Sequence, residues 1–210
     1  MEKLIDFLTE IGKLKKMKRG GWILRKIKDP ETIAEHTFRI AISAWILSKE
    51  KKMDIKKILK LALIHDLCEV YSGDITIYNN VVLPKDRKKR REIIEKWPRF
   101  SKKEKEKFYQ EKYQQEYQAL KKITSYLPLP LRKEIMNLWQ EYEKKLTKEG
   151  RFVRQVDHIE NLLQALEYKK KNKRTPIRSF WITAKEVVDD PLLVKFMDAL
   201  DKKFHQKPKK

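Results

Sequence analysis

Residues 61–75 read LALIHDLCEVYSGDI, and in this stretch charged side chains interrupt an apolar helical face. Helical spacing predicts that it ends a helix over about residues 55–71. One apolar stripe runs along that helix and consists of Ile55, Ile58, Leu59, Ala62, Leu63 and Val70. Asp66 and Glu69 fall inside the stripe, and His65 lies at its edge. Two carboxylates and one imidazole are therefore expected to face the interior.

Buried carboxylates of this kind need a positive partner. An ionised group is costly to bury alone, and a second like charge three residues away adds to the cost. The segment before it has a matching anomaly, because His36 lies on an apolar stripe formed by Ile33, Ile40, Ala44 and Leu47. A single histidine there is typical of a hydrogen-bonded core residue. Together with His65 and Asp66, however, it indicates a metal site.

Imidazole and carboxylate ligands favour one divalent transition metal, namely Mn, Co, Fe, Ni or Zn, over Ca or Mg. A fourth ligand is still needed. The segment FVRQVDHIE, residues 152–160, offers Asp157, His158 and Glu160. Helical periodicity does not choose among these three.

The whole chain is predicted to be all-α, because apolar residues recur at helical spacing and no stretch shows sustained strand alternation. Beyond the helix over 55–71, helices are expected over about residues 2–17, from Asp29-Pro30 to Lys52, over 129–147, 150–171 and 183–204, and in exposed segments between 85 and 122 that break near Pro98. A loop is expected after Gly20 and Gly21. Chemistry is not expected to centre on the charged stretch 85–122.

Composition limits the class of protein. Hydrophobic residues make up 40% of the 210 residues and charged residues 39%, which fits one folded domain with an ionic surface. The lone Cys68 and the absence of a signal-like or membrane-spanning stretch favour the cytoplasm and exclude membrane insertion. The net charge of +21 makes nucleic acid a possible partner, although Lys and Glu interspersed on helix faces explain the charge equally simply.

The order His36, His65-Asp66 and Asp157 resembles the H…HD…D signature of the HD-domain metal phosphohydrolases. The sequence around these residues is more specific, because four segments resemble the small 5'-deoxynucleotidases of that family. The segments are KRGGWILRKIKDPETIAEHTFRIA, LALIHDLCEVYSGDI, LRKEIMNLWQEYE and FVRQVDHIENLLQALEYKK. The resemblance spans about residues 14–171. It implies a single HD-domain helical bundle over residues 1–210.

The resemblance also implies a ligand set for one metal ion, which consists of His36, His65, Asp66 and Asp157. His158 then becomes a neighbour of the site, and His205 belongs to the basic tail HQKPKK. Glu69 matches the acidic residue near the attacking water and is the candidate base. Asp74 matches the aspartate of a GD motif, which implies contact with the substrate sugar or its water network. A capping aspartate in a turn is the alternative.

Arg19 and Trp22 match the R-x-G-W element of the family. A guanidinium fork suits a phosphate, so Arg19 is the candidate phosphate clamp. Trp22 has two interpretations: its indole N–H contacts the phosphate, or its ring is an aromatic plug for the loop.

The chain departs from the family pattern over about residues 79–110, where a charged helical insertion is expected, and in a C-terminal helical extension over about 172–210. The insertion could cap the pocket, build an oligomer interface or present its basic run to a polyanion. That run consists of Arg87, Lys88, Lys89, Arg90 and Arg91. Family likeness implies a homo-oligomer, with a dimer favoured.

The function implied is conversion of deoxynucleoside 5'-monophosphates to deoxynucleosides and phosphate by metal-dependent hydrolysis. Within the same enzyme class, another nucleotide phosphohydrolase or phosphodiesterase activity is the alternative. A different class, a basic nucleic-acid-binding protein with a structural metal site, is the second alternative.

Overall fold

A computed structural model describes residues 1–79, 81–95 and 100–205, and the regular structure of these ranges is helical. The helices are α1 (Glu2–Ile11), α2 (Gly20–Leu24), α3 (Ile33–Ser48), α4 (Ile55–Ile64), α5 (Glu69–Ser72), α6 (Arg87–Glu95), α7 (Lys102–Thr124), α8 (Leu129–Glu143), α9 (Lys148–Lys171), α10 (Arg178–Val187) and α11 (Pro191–His205), with a 3₁₀ turn at Gly12–Lys15. The all-α prediction is confirmed. The predicted break near Pro98 and the basic tail after His205 lie outside the described residues.

Helix α9 is the central element of the bundle. The Thr147 side chain caps its first turn by accepting from the Gly150 amide, and basic residues in its last turn suit the negative helix end. Helices α3, α4, α8, α10 and α11 pack around it. Its buried residues include Phe152, Val156 and Leu162, so the main core forms along its length.

Helix α3 begins later than predicted. The expected cap at Asp29-Pro30 was wrong, because Thr32 and Glu35 form a reciprocal capping box in which each side chain accepts from the other residue's backbone amide. The segment before the cap is instead extended, and Lys18 and Thr32 form an isolated antiparallel bridge. The capping box therefore determines where α3 begins, and His36 lies about one helical turn after that point.

The predicted helix over residues 55–71 is interrupted at the His-Asp pair. Helix α4 ends at Ile64, and the backbone then tightens to i to i−3 hydrogen bonds, from Leu67 to Ile64 and from Glu69 to Asp66. In such a tight turn, residues i and i+3 eclipse one another. Asp66 and Glu69 therefore still share a side, as predicted. The turn closes at Gly73, whose φ of 72° is a conformation that other residues rarely adopt.

The N-terminal segment differs from prediction in one further respect. The two glycines at positions 20 and 21 begin the short helix α2 instead of a loop, and Arg19 is its N-cap residue. A Cβ atom on Gly20 would lie 2.8 Å from the Asp74 carbonyl oxygen. Glycine is required here because two backbones meet at close range.

Helix α7 is not a free charged segment. Its C-terminal half buries Ala119, Leu120 and Ile123 in a second apolar cluster with the α5 segment and Trp139 of α8. Residue 110, where the predicted insertion ends, lies within this continuous helix. The charged stretch is therefore attached to the bundle beside the His-Asp turn.

The described residues contain no helix that is both long enough and apolar enough to cross a membrane.

Replacing Thr32 with Ala should destabilise the protein by about 1 kcal/mol, because the capping box holds the first turn of α3. Urea unfolding monitored by circular dichroism measures this change. Ser125→Ala removes an exposed hydroxyl at the end of α7 and should change the free energy of unfolding by less than about 0.5 kcal/mol. Equal losses in both variants would contradict the capping role.

Candidate metal centre

Two buried histidines point their Nε2 atoms into one space. His36 and His65 are 0% and 2% exposed, and their ring centroids lie 5.5 Å apart. Each Nδ1 atom is already bonded, His36 to Glu160 Oε2 at 2.5 Å and His65 to the Ala62 carbonyl at 2.7 Å. Among the described residues, neither Nε2 atom has a hydrogen-bond partner. Such atoms are costly to bury unless they bind something.

Two aspartates complete the group around these nitrogens. Asp66 Oδ2 lies 3.1 Å from His65 Nε2 and 3.7 Å from His36 Nε2, and ligand atoms of these three residues all lie within 4.8 Å of one another. Asp157 Oδ1 approaches from α9, 3.2 Å from His36 Nε2. The structure therefore brings together the four residues that the resemblance implied.

Asp157 is held in place by two donors. The Tyr142 hydroxyl donates to Oδ2 at 3.0 Å, and the Asn161 amide donates to Oδ1 at 2.7 Å. Although burial raises the pKa of the Asp157 carboxyl, its contact with His36 lowers it well below the usual range. The carboxylate is thus anionic where a cation would sit.

This donor set fits a divalent transition metal. Within the described residues, both imidazoles point an Nε2 atom that forms no hydrogen bond at the aspartates, while their Nδ1 atoms are fixed from behind, which is the usual arrangement of metal-binding histidines. Burial and Arg19 lower the pKa of His36, but Glu160 and Asp157 raise it to about 10 overall. The surrounding carboxylates therefore favour positive charge at this point.

The three candidates on α9 have different surroundings. Glu160 lies behind His36, accepts from Arg39 and is 1% exposed, whereas Asp157 lies in front of it. His158 lines the cleft beside Asp157, so it is a neighbour of the site. A second possible cation group, which consists of Glu31, His36 and Glu160, uses atoms that already bond to Trp22 and Arg39.

Arg19 joins the metal-site residues to the substrate side of the cleft. Its guanidinium donates to Asp66 at 2.9 Å and to Asn161 at 2.9 Å, and its Nε lies 3.5 Å from Asp74. Asp74 in turn accepts from the Gly20 amide at 2.7 Å. Arg19 and Asp74 therefore fix each other at the mouth of the site.

Trp22 does not reach the cleft. Its ring is 1% exposed within the main core, and its indole N–H donates to Glu31 at 2.8 Å. It stacks on Phe180 with centroids 4.6 Å apart. This geometry contradicts a phosphate contact and favours the other interpretation, an aromatic plug that anchors α2.

Glu69 lies at the wall of the cleft and is 2% exposed. Its Oε2 atom has no hydrogen-bond partner among the described residues. Burial raises the pKa of this carboxyl well above its usual range, and the nearby Asp66 and Asp74 add to the effect. A carboxylate with a raised pKa is a better proton acceptor than an ordinary glutamate.

The cleft above these residues has a volume of about 790 Å³. Sequence reasoning did not assign several side chains that line it, and α7 supplies some of them: Phe108, Tyr109, Lys112, Tyr113 and Glu116. Burial lowers the pKa of Lys112, but Glu116 and Glu69 raise it above its usual range overall. Lys112 is thus one of several cations in the cleft, and the stretch 85–122 contributes to the cleft wall although the metal-site residues lie outside it. Lysines recur throughout that stretch, so nothing in its sequence marks this one.

Comparison with known proteins assigns this arrangement to a family. The sequence matches the HD domain over residues 11–108 and 100–190. A crystal structure of a Pyrococcus horikoshii OT3 protein has the same fold, with a TM-score of 0.68 at 24% identity, and the match covers 94% of this chain and 96% of that one. The chain belongs to the HD-domain family.

Its curated relatives define a narrower group. The 5'-deoxynucleotidase HDDC2 of Mus musculus is 32% identical over 199 residues, which cover 94% of this chain and 86% of that protein. The human 5'-deoxynucleotidase HDDC2 is also 32% identical, with 94% and 84% covered. Within the HD-domain family, this chain therefore groups with the HDDC2 proteins.

Replacing Glu160 with Gln should weaken binding of Co²⁺ or Mn²⁺ about 10–100-fold, because Glu160 orients His36 and increases its basicity. Isothermal titration of metal-stripped protein measures the affinity. Glu167→Gln is a matched control, since Glu167 also accepts from Arg39 but does not contact His36. Unchanged affinity in Glu160→Gln would show that the metal does not bind His36.

Proposed function

We propose that the chain is a metal-dependent 5'-deoxynucleotidase that releases phosphate from deoxynucleoside 5'-monophosphates. One observation carries this proposal: two buried Nε2 atoms, which form no hydrogen bond within the described residues, converge with two aspartates at the base of a nucleotide-sized cleft. The curated relatives that cover most of the chain are 5'-deoxynucleotidases, which supports the same substrate class.

The residues that would hold the cation are His36, His65, Asp66 and Asp157. Two imidazoles with two carboxylates suit Mn, Co, Fe, Ni or Zn. A cation in such a site supplies Lewis acidity, which acidifies water and withdraws charge from a phosphate oxygen. The cluster of His36, His65 and the two aspartates fits one ion.

Glu69 is the proposed proton acceptor. It lies three residues after Asp66 on the same side of the turn and lines the cleft. Its Oε2 atom forms no hydrogen bond within the described residues. Burial and neighbouring carboxylates raise its pKa, which makes its ionised form a stronger base. A cation bound next to Asp66 would favour that ionised form, which could then accept a proton from the attacking water.

Arg19 and Lys112 are the proposed phosphate contacts. Arg19 is the N-cap residue of α2, and its guanidinium already bridges Asp66 and Asn161 at the cleft. Lys112 approaches from α7 and pairs with Glu116 at 3.3 Å. A phosphate between these cations would be neutralised from two sides. Asp74, which accepts from Gly20, is proposed to contact the sugar or its water network.

Phosphate release from a panel of deoxy- and ribonucleoside 5'-monophosphates, with each metal added to stripped protein, tests this function. Glu69→Gln should lower kcat about 100-fold or more while metal affinity is retained, because it removes only the proton acceptor. Asp66→Asn should lose both activity and metal affinity. Glu134→Gln, at an exposed pair with Lys60, serves as the neutral control.

Other outcomes select among the alternatives. Release from triphosphates or phosphodiesters but not from monophosphates would move the assignment to another phosphohydrolase activity. No release from any ester, with metal bound and with salt-sensitive binding of oligonucleotides, would favour the nucleic-acid-binding alternative.

A homodimer is the proposed assembly, and α3 offers a surface for it. Large apolar side chains lie along its outer face at helical spacing: Phe38, Ile42, Trp45 and Ile46, which are 68%, 36%, 48% and 63% exposed. A contiguous apolar stripe of this kind is unusual on a monomer and marks an interaction surface.

Ile46→Lys should shift the protein from dimer to monomer, because it places a charge within that stripe. Sedimentation equilibrium measures the mass. Leu146→Lys is the matched control, since Leu146 is also 63% exposed but lies after α8 and is not part of the α3 stripe. A wild-type monomer, or a dimer that survives Ile46→Lys, would contradict this surface.

A further inference from the structure

A second cavity, distinct from the cleft, lies between helix α6, the segment after α2 and the end of α9. Its volume is about 730 Å³, and its described lining residues share none with the cleft. Nine of them are basic and one, Asp29, is acidic. The metal-dependent reaction proposed above uses none of these groups.

Most of these basic side chains have no counter-charge. Among the described parts of the chain, no carboxylate forms an ion pair with six of them, which are Lys26, Lys28, Arg87, Lys88, Lys171 and Arg174. Elsewhere the chain pairs many of its surface cations, for example Lys57 with Glu141 and Arg151 with Asp189. Like charges around one concave surface repel each other, so an anion in the cavity would be strongly stabilised.

Hydrogen bonds hold the side chains of two further cations, Arg90 and Arg25, in place. Part of the cavity wall is therefore preformed. The Arg90 guanidinium donates twice to the Leu24 carbonyl, at 3.1 and 2.8 Å. Arg25 donates to the Gly21 carbonyl at 2.7 Å and to the Ser179 hydroxyl at 2.8 Å. Lys26 has a φ of 53°, a conformation rare for a residue with a side chain. Strained backbone of this kind is concentrated at binding sites.

The cavity also has an apolar part. Ile27, Ile94, Tyr168 and Pro176 line it beside the cations. Cavities of 300–1,000 Å³ with apolar walls and a few placed charges are typical of sites for small molecules. A ligand with an apolar ring system and several phosphates fits both parts, and a monophosphate would leave most of the cations without a partner.

We propose that this cavity is an effector site for a nucleoside triphosphate, separate from the catalytic cleft. Its three phosphates would lie among the unpaired lysines and arginines, and its base would lie against the apolar part. Arg90 and Arg25 connect this site to α2, because they bond to the carbonyls of Leu24 and Gly21. The other end of α2 is Arg19, which contacts Asp66 in the catalytic site. Occupancy should therefore change turnover.

Binding is tested with dATP, with inorganic triphosphate and with a 12-nucleotide single strand, by isothermal titration on the full chain. The double variant Lys88→Glu with Arg174→Glu changes two exposed residues that make no side-chain bond described here. It should weaken dATP binding about tenfold or more. The control is Lys56→Glu with Lys133→Glu, which has the same charge change on exposed lysines outside both cavities and should bind dATP as the wild type does.

Three results would overturn the proposal. Equal weakening in both double variants would mean that only net charge matters. Tight binding of the single strand with none of dATP would indicate a nucleic-acid surface. Retained dATP affinity in the cavity variant would place the nucleotide in the cleft.

The effector role has its own readout. With a monophosphate substrate, dATP should change kcat or KM in the wild type and in the control variant, but not in the cavity variant. An equal effect in all three proteins would mean competition in the cleft, and no effect in any would remove the link through α2. If no monophosphate is hydrolysed, the binding test still decides whether the cavity holds a triphosphate.

Discussion

The contact between Glu160 and His36 joins the two helices on which the site depends. Glu160 is on the central helix α9, and its carboxylate binds His36 Nδ1 at 2.5 Å while accepting from Arg39, also on α3. A carboxylate this deeply buried is tolerable only with such partners. The bond holds the two helices together at this point and fixes the direction of His36 Nε2. Asp157, one turn earlier on α9, then lies in front of that nitrogen.

The sequence predicted the fold class and the inward-facing polar residues, because helical periodicity is local information. It did not predict the turn at His65-Asp66, which depends on i to i−3 bonding, nor the capping box at Thr32 that displaced the expected start at Asp29. Periodicity could not rank the acidic residues of α9, since their roles depend on which side of His36 each reaches. Trp22 was open to two interpretations until its indole partner, Glu31, was known.

Two sites with opposite charge lie at the two ends of the short helix α2. Arg19 at its start contacts carboxylates that suit a cation, and the Leu24 carbonyl at its end accepts from Arg90 in a cavity that suits an anion. The charged stretch 85–122 supplies walls to both sites, Lys112 to one and Arg90 to the other. Part of the large positive charge of the chain is thus located where phosphates are proposed to bind.

His36 and His65 are proposed to bind one metal ion through their Nε2 atoms, and every proposed role in the cleft depends on that ion. Anomalous diffraction at the zinc edge, from crystals of stripped protein loaded with Zn²⁺, tests it directly. We expect one strong peak about 2.1 Å from both Nε2 atoms, with Asp66 and Asp157 oxygens completing the site. A peak elsewhere, or both Nε2 atoms bonded only to protein groups in the loaded crystal, would contradict it.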